Sequence, residues 1–408
     1  MTVLQGIRIL ELANERISFA GKLMADMGAE VILIEPPEGE ASRHYPPFVD
    51  DDETKPSLYF WHYNTSKKGI ILDLTQADGQ DTFRQLAASA DVLLESEPIQ
   101  RLTELQLDYA QLSTLNPDLI HIAVTPYGRD NPLSDLPVTD LTLMAAGGPP
   151  WSCGYDDHNL PPVRGWGNQG YQTGCHFAFM SMLTALMARN AGLGGQFIDV
   201  SMVASLNVTT EAATYTYHIN GGEVQRQTGR HAAVLPTGES QMRCADGKYV
   251  NTGVPPRFPD EFGKLLDWLR KLKLEDELPE AVFLQMGAEW QGHFDLSRIG
   301  EDDEITAIFS AGRMALTLIA SRISAYDFFI GCQNAGLAVG IIYSPEEAFE
   351  DPHFIARGFQ QEVMHPDRAE PVRYPGAPYK LAASPWQIYG PAPDLGQHTA
   401  EILAALKD

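Results

Sequence analysis

The segment Gly167-Asn168-Gln169-Gly170-Tyr171-Gln172-Thr173-Gly174-Cys175 runs straight into an apolar stretch, and its residue types limit the chemistry it can do. Its amides, phenol and hydroxyl can donate and accept hydrogen bonds. No carboxylate stands between Asn159 and Asp199 to serve as nucleophile or base. His176, the next residue, carries an imidazole suited to proton transfer, but a histidine at the start of a buried helix is more often structural, and that reading is preferred. The acidic runs Glu275-Asp276-Glu277 and Glu301-Asp302-Asp303-Glu304 read as solvated faces, and no metal site is expected. Cys153, Cys175, Cys244 and Cys332 are far apart and form no C-x-x-C pair, so they read as free thiols in a reducing cytoplasm.

The elements that must position these groups begin with strong alternation. Ile7 to Leu12 reads as a strand, Phe19 to Met27 as a helix stopped by Gly28, and Val31 to Glu35 as a second strand ended by Pro36-Pro37. That is a β-α-β unit with a right-handed crossover. Strand Gly69 to Leu74, helix Gly79 to Ala88, and strands Asp91 to Leu94 and Leu119 to Thr125 continue the pattern. An open, doubly wound α/β domain follows. The dinucleotide fingerprint is absent after the first strand, which argues against a nicotinamide enzyme. A helix is expected from about Cys175 to Asn190 with Thr173 as its N-cap, then a strand from Phe197 to Met202. Composition shifts near residue 222. The expected organisation is a large domain over 1–221, a smaller α+β domain over 222–330 and a return segment over 331–408 that completes the large domain.

The chain has 408 residues, 44% apolar and 20% charged, as in ordinary globular proteins. Its net charge of −25 argues against nucleic-acid partners, which need basic patches. The apolar run Phe177 to Ala188 is too short to span a bilayer, which takes about 20 residues. The N-terminus lacks the layout of a signal peptide. No membrane association is expected.

Several segments in order resemble the class III CoA-transferases, the CaiB/BaiF family. They are Leu4-Gln-Gly-Ile-Arg-Ile-Leu-Glu-Leu12, Leu23-Met-Ala-Asp-Met-Gly-Ala-Glu-Val31, Glu35 to Glu40 with Arg43, and Asn64-Thr-Ser-Lys-Lys-Gly69 with Leu72-Asp-Leu74. Asn116 to Ile120, Thr125-Pro-Tyr-Gly128, Gly194-Gly-Gln196 and Ala392-Pro-Asp-Leu-Gly-Gln-His-Thr399 complete the set. The resemblance implies a Rossmann-like large domain built from both chain ends, a smaller middle domain, and two chains interlocked like links, each threaded through the ring of the other.

It also implies a mechanism: a family aspartate attacks the acyl carbonyl of a CoA thioester and holds the acyl group as a mixed anhydride. Gly170 stands at that aspartate's place, so no catalytic residue is assigned here. CoA is implied as a thioester substrate, with no covalently bound cofactor. Arg43, Lys67, Lys68 and Leu72 match positions near the family's nucleotide end, the cations having solvated surface charge as the alternative. Asp140 matches a pocket-lining acid or, equally, caps a helix over Leu141 to Ala146. Glu15 and Arg16 either fill the pocket or form a surface ion pair. Ser96, Glu104 and Pro137 replace an asparagine, an arginine and a lysine that family members use.

The reading preferred is a subunit of a heteromeric CoA-transferase whose homologous partner carries the aspartate. Unlike subunits pair in this way in the family branch that moves CoA from succinyl-CoA to benzylsuccinate in anaerobic aromatic degradation. A degenerate, non-enzymatic homodimer is the alternative. An acyl-CoA racemase is disfavoured, because Thr139 and Gly170 stand where its histidine and aspartate belong.

Overall fold

A computed structural model describes residues 2–406 except 135, 254, 292–293 and 296–297. The chain divides into two units, Met1–Cys153 with Pro162–Gly222 and Asp351–Asp408, and Gly154–Pro161 with Glu223–Glu350.

The first unit runs β1 (Arg8–Leu12), α1 (Ser18–Asp26), β2 (Glu30–Glu35), α2 (Leu58–Tyr63), β3 (Lys68–Ile71), α3 (Ala77–Ala88), β4 (Val92–Glu95) and α4 (Ile99–Glu104). It continues through α5 (Tyr109–Leu115), β5 (Ile120–Thr125), α6 (Asp140–Gly147), α7 (Gln169–Ala188), β6 (Phe197–Ser201), α8 (Met202–Val208) and α9 (Glu211–Asn220). The six strands form one parallel sheet in the order β3-β2-β1-β4-β5-β6. Strands β4 and β5 are buried throughout, as expected for a parallel sheet covered on both faces. One face carries Ile9, Val31, Ile122 and Val124 against α1, α6, α7 and α8. The other carries Leu10, Ile32, Ile70 and Leu93 against α3, α4 and α5.

The helix α7 begins at Gln169, earlier than the sequence pattern suggests, so Gly170 and Tyr171 lie in its first turn. Thr173 is not its cap. Its hydroxyl bonds back to the Gln169 carbonyl at 2.7 Å, a local bond that threonine readily forms inside helices.

The second unit runs β7 (Gln241–Arg243), β8 (Tyr249–Thr252), α10 (Pro259–Leu272), α11 (Ala281–Ala288), α12 (Asp303–Ala320), α13 (Ala325–Ala335), β9 (Val339–Ile341) and α14 (Pro345–Glu350). Its three strands pair antiparallel, and its helices share a core around Phe262, Leu265, Ile308 and Phe328. Because β9 pairs with β8, the return to the first unit comes at Asp351 rather than at residue 331. The loop Gly154–Pro161 belongs to the second unit and hydrogen-bonds within it, His158 Nε2 meeting the Arg226 carbonyl at 3.1 Å. Glu275 and Glu277 pair with Arg270 and Arg322, and Asp302 caps α12. Cys175, Cys244 and Cys332 are buried, Cys153 is exposed, and all are free. No helix among the described residues is long and apolar enough to cross a membrane.

The return segment adds α15 (Pro352–Arg357), β10 (Gln360–Val363), β11 (Val372–Pro375) and α16 (Thr399–Ala405). Its end covers the open edge of β3. The Gly69 N–H donates to His398 Nδ1 at 3.1 Å, the His398 N–H donates to the Gly69 carbonyl at 2.9 Å, and the Ile71 N–H donates to Thr399 Oγ1 at 3.1 Å. An uncovered edge strand would template further pairing.

Under α1 lies a buried ion pair. Lys67 donates to Glu11 Oε1 at 2.8 Å, to the Ser18 carbonyl at 2.9 Å and to Asn64 Oδ1 at 2.9 Å. Burial pushes Glu11 up to about 7 and Lys67 down, against their mutual attraction. Removing one partner strands the other charge, so Lys67→Met is expected to lose about 3–5 kcal/mol in denaturant unfolding, and Glu11→Gln combined with Lys67→Met should recover much of it. Nearby in α2, burial and then the Lys22 ammonium push His62 down to about 4. A depressed folded value means stability present above the unfolded value near 6.5 and lost as pH falls towards 4. His62→Gln should flatten the stability profile across that window, measured by thermal unfolding at a series of pH values.

Candidate active site

The first turn of α7 leaves backbone N–H groups without helical partners, and one of them is met from α6. The Tyr171 N–H donates to Asp140 Oδ1 at 3.0 Å, while Arg164 Nη1 donates to Asp140 Oδ2 at 2.9 Å and to the Gly167 carbonyl at 3.0 Å. Asp140 is therefore the first residue inside α6 and not its cap. Thr139 holds that place, in a reciprocal capping box with Thr142. Each Asp140 oxygen accepts a hydrogen bond, one from a charged donor and one from the backbone, which fixes the carboxylate in place.

Gly170 sits directly against this carboxylate. A Cβ at 170 would lie 2.9 Å from Asp140 Oδ1 and 3.5 Å from Leu206 Cδ1. The absence of a side chain at 170 is thus matched by the placement of Asp140.

Tyrosines close the other side. Tyr59 and Tyr63, four residues apart on α2, have ring centroids 4.6 Å apart. The Asn168 amide donates to the Tyr59 hydroxyl, and the Gln172 amide donates to the Tyr63 hydroxyl at 2.9 Å. Tyr45 stacks edge-on against Tyr59 at 5.5 Å. Glu15 and Arg16 each reach a tyrosine: Glu15 bonds Tyr45 and is pushed up by burial, and Arg16 bonds the Tyr171 side chain. Burial pushes the Tyr45 hydroxyl up to about 12 and the Cys175 thiol to about 12, so neither ionises near neutrality. His176 is exposed and packs edge-on against Phe19 at 5.4 Å.

The structure gathers Glu15, Arg16, Asp140 and Gly170 around the start of α7, and it does not bring the expected cations to them. Arg43 grips Glu35 through two bonds of 2.6 and 2.7 Å and lies 3.9 Å over the Phe60 ring. Lys67 is buried with Glu11, so it is neither a solvated surface charge nor open to a ligand as placed. Lys68 bridges Glu30 and Glu401 at the sheet edge. Leu72 lines a crevice of about 310 Å³ together with Glu35, Glu38, Asp73, Glu97 and Arg101. Arg164 and the three tyrosines went unread in the sequence. The run Tyr59-Phe60-Trp61-His62-Tyr63 was the available signal, since tyrosines at i and i+4 share a helix face.

The sequence model of CoA-transferase family III matches residues 4–399. Among curated proteins, the chain is 30% identical to the BbsE subunit of succinyl-CoA:(R)-benzylsuccinate CoA-transferase from Thauera aromatica, over 97% of this chain and 92% of that one. It is 28% identical to succinate–glutarate CoA-transferase from Agrobacterium fabrum, over 99% and 96%. Among solved structures, a CaiB/BaiF family protein from Brucella suis shares the fold with a TM-score of 0.79 at 23% identity, each chain covered to 99%.

The fit between Gly170 and Asp140 has a measurable cost. Gly170→Ala should destabilise the chain by about 1–3 kcal/mol through overpacking, and the penalty should shrink in an Asp140→Ala background, as a double-mutant cycle in denaturant will report.

Proposed function

The chain belongs to CoA-transferase family III, and from that premise we propose that it is the subunit of a heteromeric CoA-transferase that lacks the nucleophile and works beside a homologous subunit that carries it. The observation that carries this reading is the start of α7. Position 170 has no side chain, and the Asp140 carboxylate that lies against it accepts hydrogen bonds from Arg164 and the Tyr171 N–H.

Two further features support it. The crevice beside Leu72 carries Glu38 and Asp73 in addition to the ion-paired Glu35 and Glu97, a net negative lining that repels the phosphates of CoA. Among the described residues α9 has none buried, and Tyr215, Tyr217 and Ile219 are 56%, 57% and 80% exposed. Tyr215 and Ile219, four residues apart, share one face of α9, and an exposed apolar pair of this kind suits burial against another chain, in line with the interlocked arrangement that the family resemblance implies. The reaction proposed for the assembly is transfer of CoA from succinyl-CoA to a carboxylic acid, with an aryl-substituted succinate such as benzylsuccinate as acceptor, after the similarity to BbsE.

Native mass spectrometry of the chain purified from its source tests the assembly. The expected result is a complex with a second family chain of similar size, in which only that second chain forms an acyl adduct when given acyl-CoA. A homodimer that exchanges CoA thioesters unaided would overturn the reading.

A further inference from the structure

Strand alternation sends successive side chains of β5 to opposite faces of the sheet. Ile120, Ile122 and Val124 pack with α7 on one face, so His121 among them faces the other, towards α5. Its neighbour across the ladder is Phe197 on β6, with ring centroids 5.3 Å apart. Tyr109, at the start of α5, lies 6.1 Å from the His121 ring and 5.8 Å from that of Phe197. With Ile99 and Leu102 of α4, these rings line a pocket of about 280 Å³ on the face of the sheet away from α7. That volume is near the lower end for small-molecule sites, about 300–1,000 Å³, and suits a single ring.

The polar end of the pocket is organised by one carboxylate. Glu95 Oε1 meets His121 Nε2 at 3.2 Å and Arg129 Nη2 at 2.6 Å, and its Oε2 accepts from the Glu97 N–H at 2.6 Å. A carboxylate oxygen can only accept, so Nε2 carries the proton of the neutral imidazole and Nδ1 is left as an acceptor. His121 is 1% exposed. Among the described residues, His121 Nδ1 and Arg129 Nε are buried and have no hydrogen-bond partner. Buried polar groups are nearly always satisfied. An acceptor and a donor tied to the same carboxylate oxygen call for a group that both donates and accepts, and a hydroxyl is the smallest such group. Charge narrows the choice. Glu95 neutralises Arg129, and Asp108 and Asp130 leave the lining net negative, which repels anions. We propose that this pocket binds a neutral monocyclic phenol, its ring against Tyr109, Phe197 and Ile99, its hydroxyl donating to His121 Nδ1 and accepting from Arg129 Nε. The site uses none of the groups at the start of α7 and is independent of the subunit reading.

Isothermal titration of the full chain with phenol, benzene and benzoate, each separately, tests it. Phenol is expected to saturate one site and to bind about tenfold tighter than benzene, the worth of hydroxyl bonds to a buried acceptor and a charged donor. Benzoate should bind more weakly than either. His121→Phe keeps a ring in place and removes the acceptor, so it should bring phenol close to benzene and leave benzene unchanged. Phe197→Ala, on a residue 38% exposed at the edge of the sheet, should weaken phenol and benzene alike, and it carries the test should His121→Phe fail to fold. A chain that takes benzene or benzoate as tightly as phenol overturns the proposal, as does one that takes no phenol. Phenol binding that Phe197→Ala leaves unchanged overturns it too, and so does a folded His121→Phe chain that prefers phenol to benzene as the parent does. The reading of the subunit stands in each of these cases, since its own test is the composition of the complex.

Discussion

The buried ammonium of Lys67 is the constraint on which the arrangement around the first strand depends. An unpaired charge in the interior costs several kcal/mol, about as much as a domain's net stability allows, so its acceptors must be in place together. Those acceptors come from β1 (Glu11), the start of α1 (Ser18) and the residue that ends α2 (Asn64). One side chain thereby fixes the strand, the helix and the following turn with respect to one another. Gly21 belongs to the same arrangement, because a Cβ there would lie 1.7 Å from Glu11 Oε2. A second buried set stands beside it, with Lys22 held by Asp26 at 2.8 Å and Asp26 also met by Thr65 and Ser66.

Fixing α2 fixes the tyrosines it carries. Tyr59 and Tyr63 then meet the amides of Asn168 and Gln172, so the start of α7 is held from one side by hydroxyl–amide bonds and from the other by the Asp140 carboxylate. A carboxylate near a helix N-terminus is favoured by the exposed N–H groups and the helix dipole. The consequence is a well-satisfied polar junction in which every named group has a partner. Such a junction holds the start of α7 in place from both sides.

The crevices around the carboxyl ends of the strands differ from that junction. The one beside Leu72 is acidic, whereas the one between β4 and β5 is lined in part by Ser96 and Thr125, both buried, and by Arg16 and Arg129. The contrast follows from neighbouring residues on the same strand ends. Glu95 neutralises Arg129, while Ser96, one residue on, turns an uncommitted hydroxyl into the crevice region.

The alternation of strands and helices, the apolar strands and the glycine and proline stops were enough for the sequence to establish a doubly wound parallel domain. These signals are local, each set by backbone sterics and burial periodicity. The ordered segments from Leu4 to Thr399 established the family, and the residue type at 170 established that no carboxylate comes from that position. Tertiary structure decided what stands in the vacated space. Asp140, Arg164 and the tyrosines of α2 are distant in sequence, and no periodicity links them to α7. It also decided the fate of the cations: Arg43 and Lys67 read as ligand-binding or surface charges until Glu35 and Glu11 were seen opposite them. The pairing of β9 with β8 likewise moved the return point to Asp351. A side chain's type is written in the sequence, but whether its charge meets solvent, a ligand or a buried partner depends on long-range packing, and packing is settled only when the whole chain has folded.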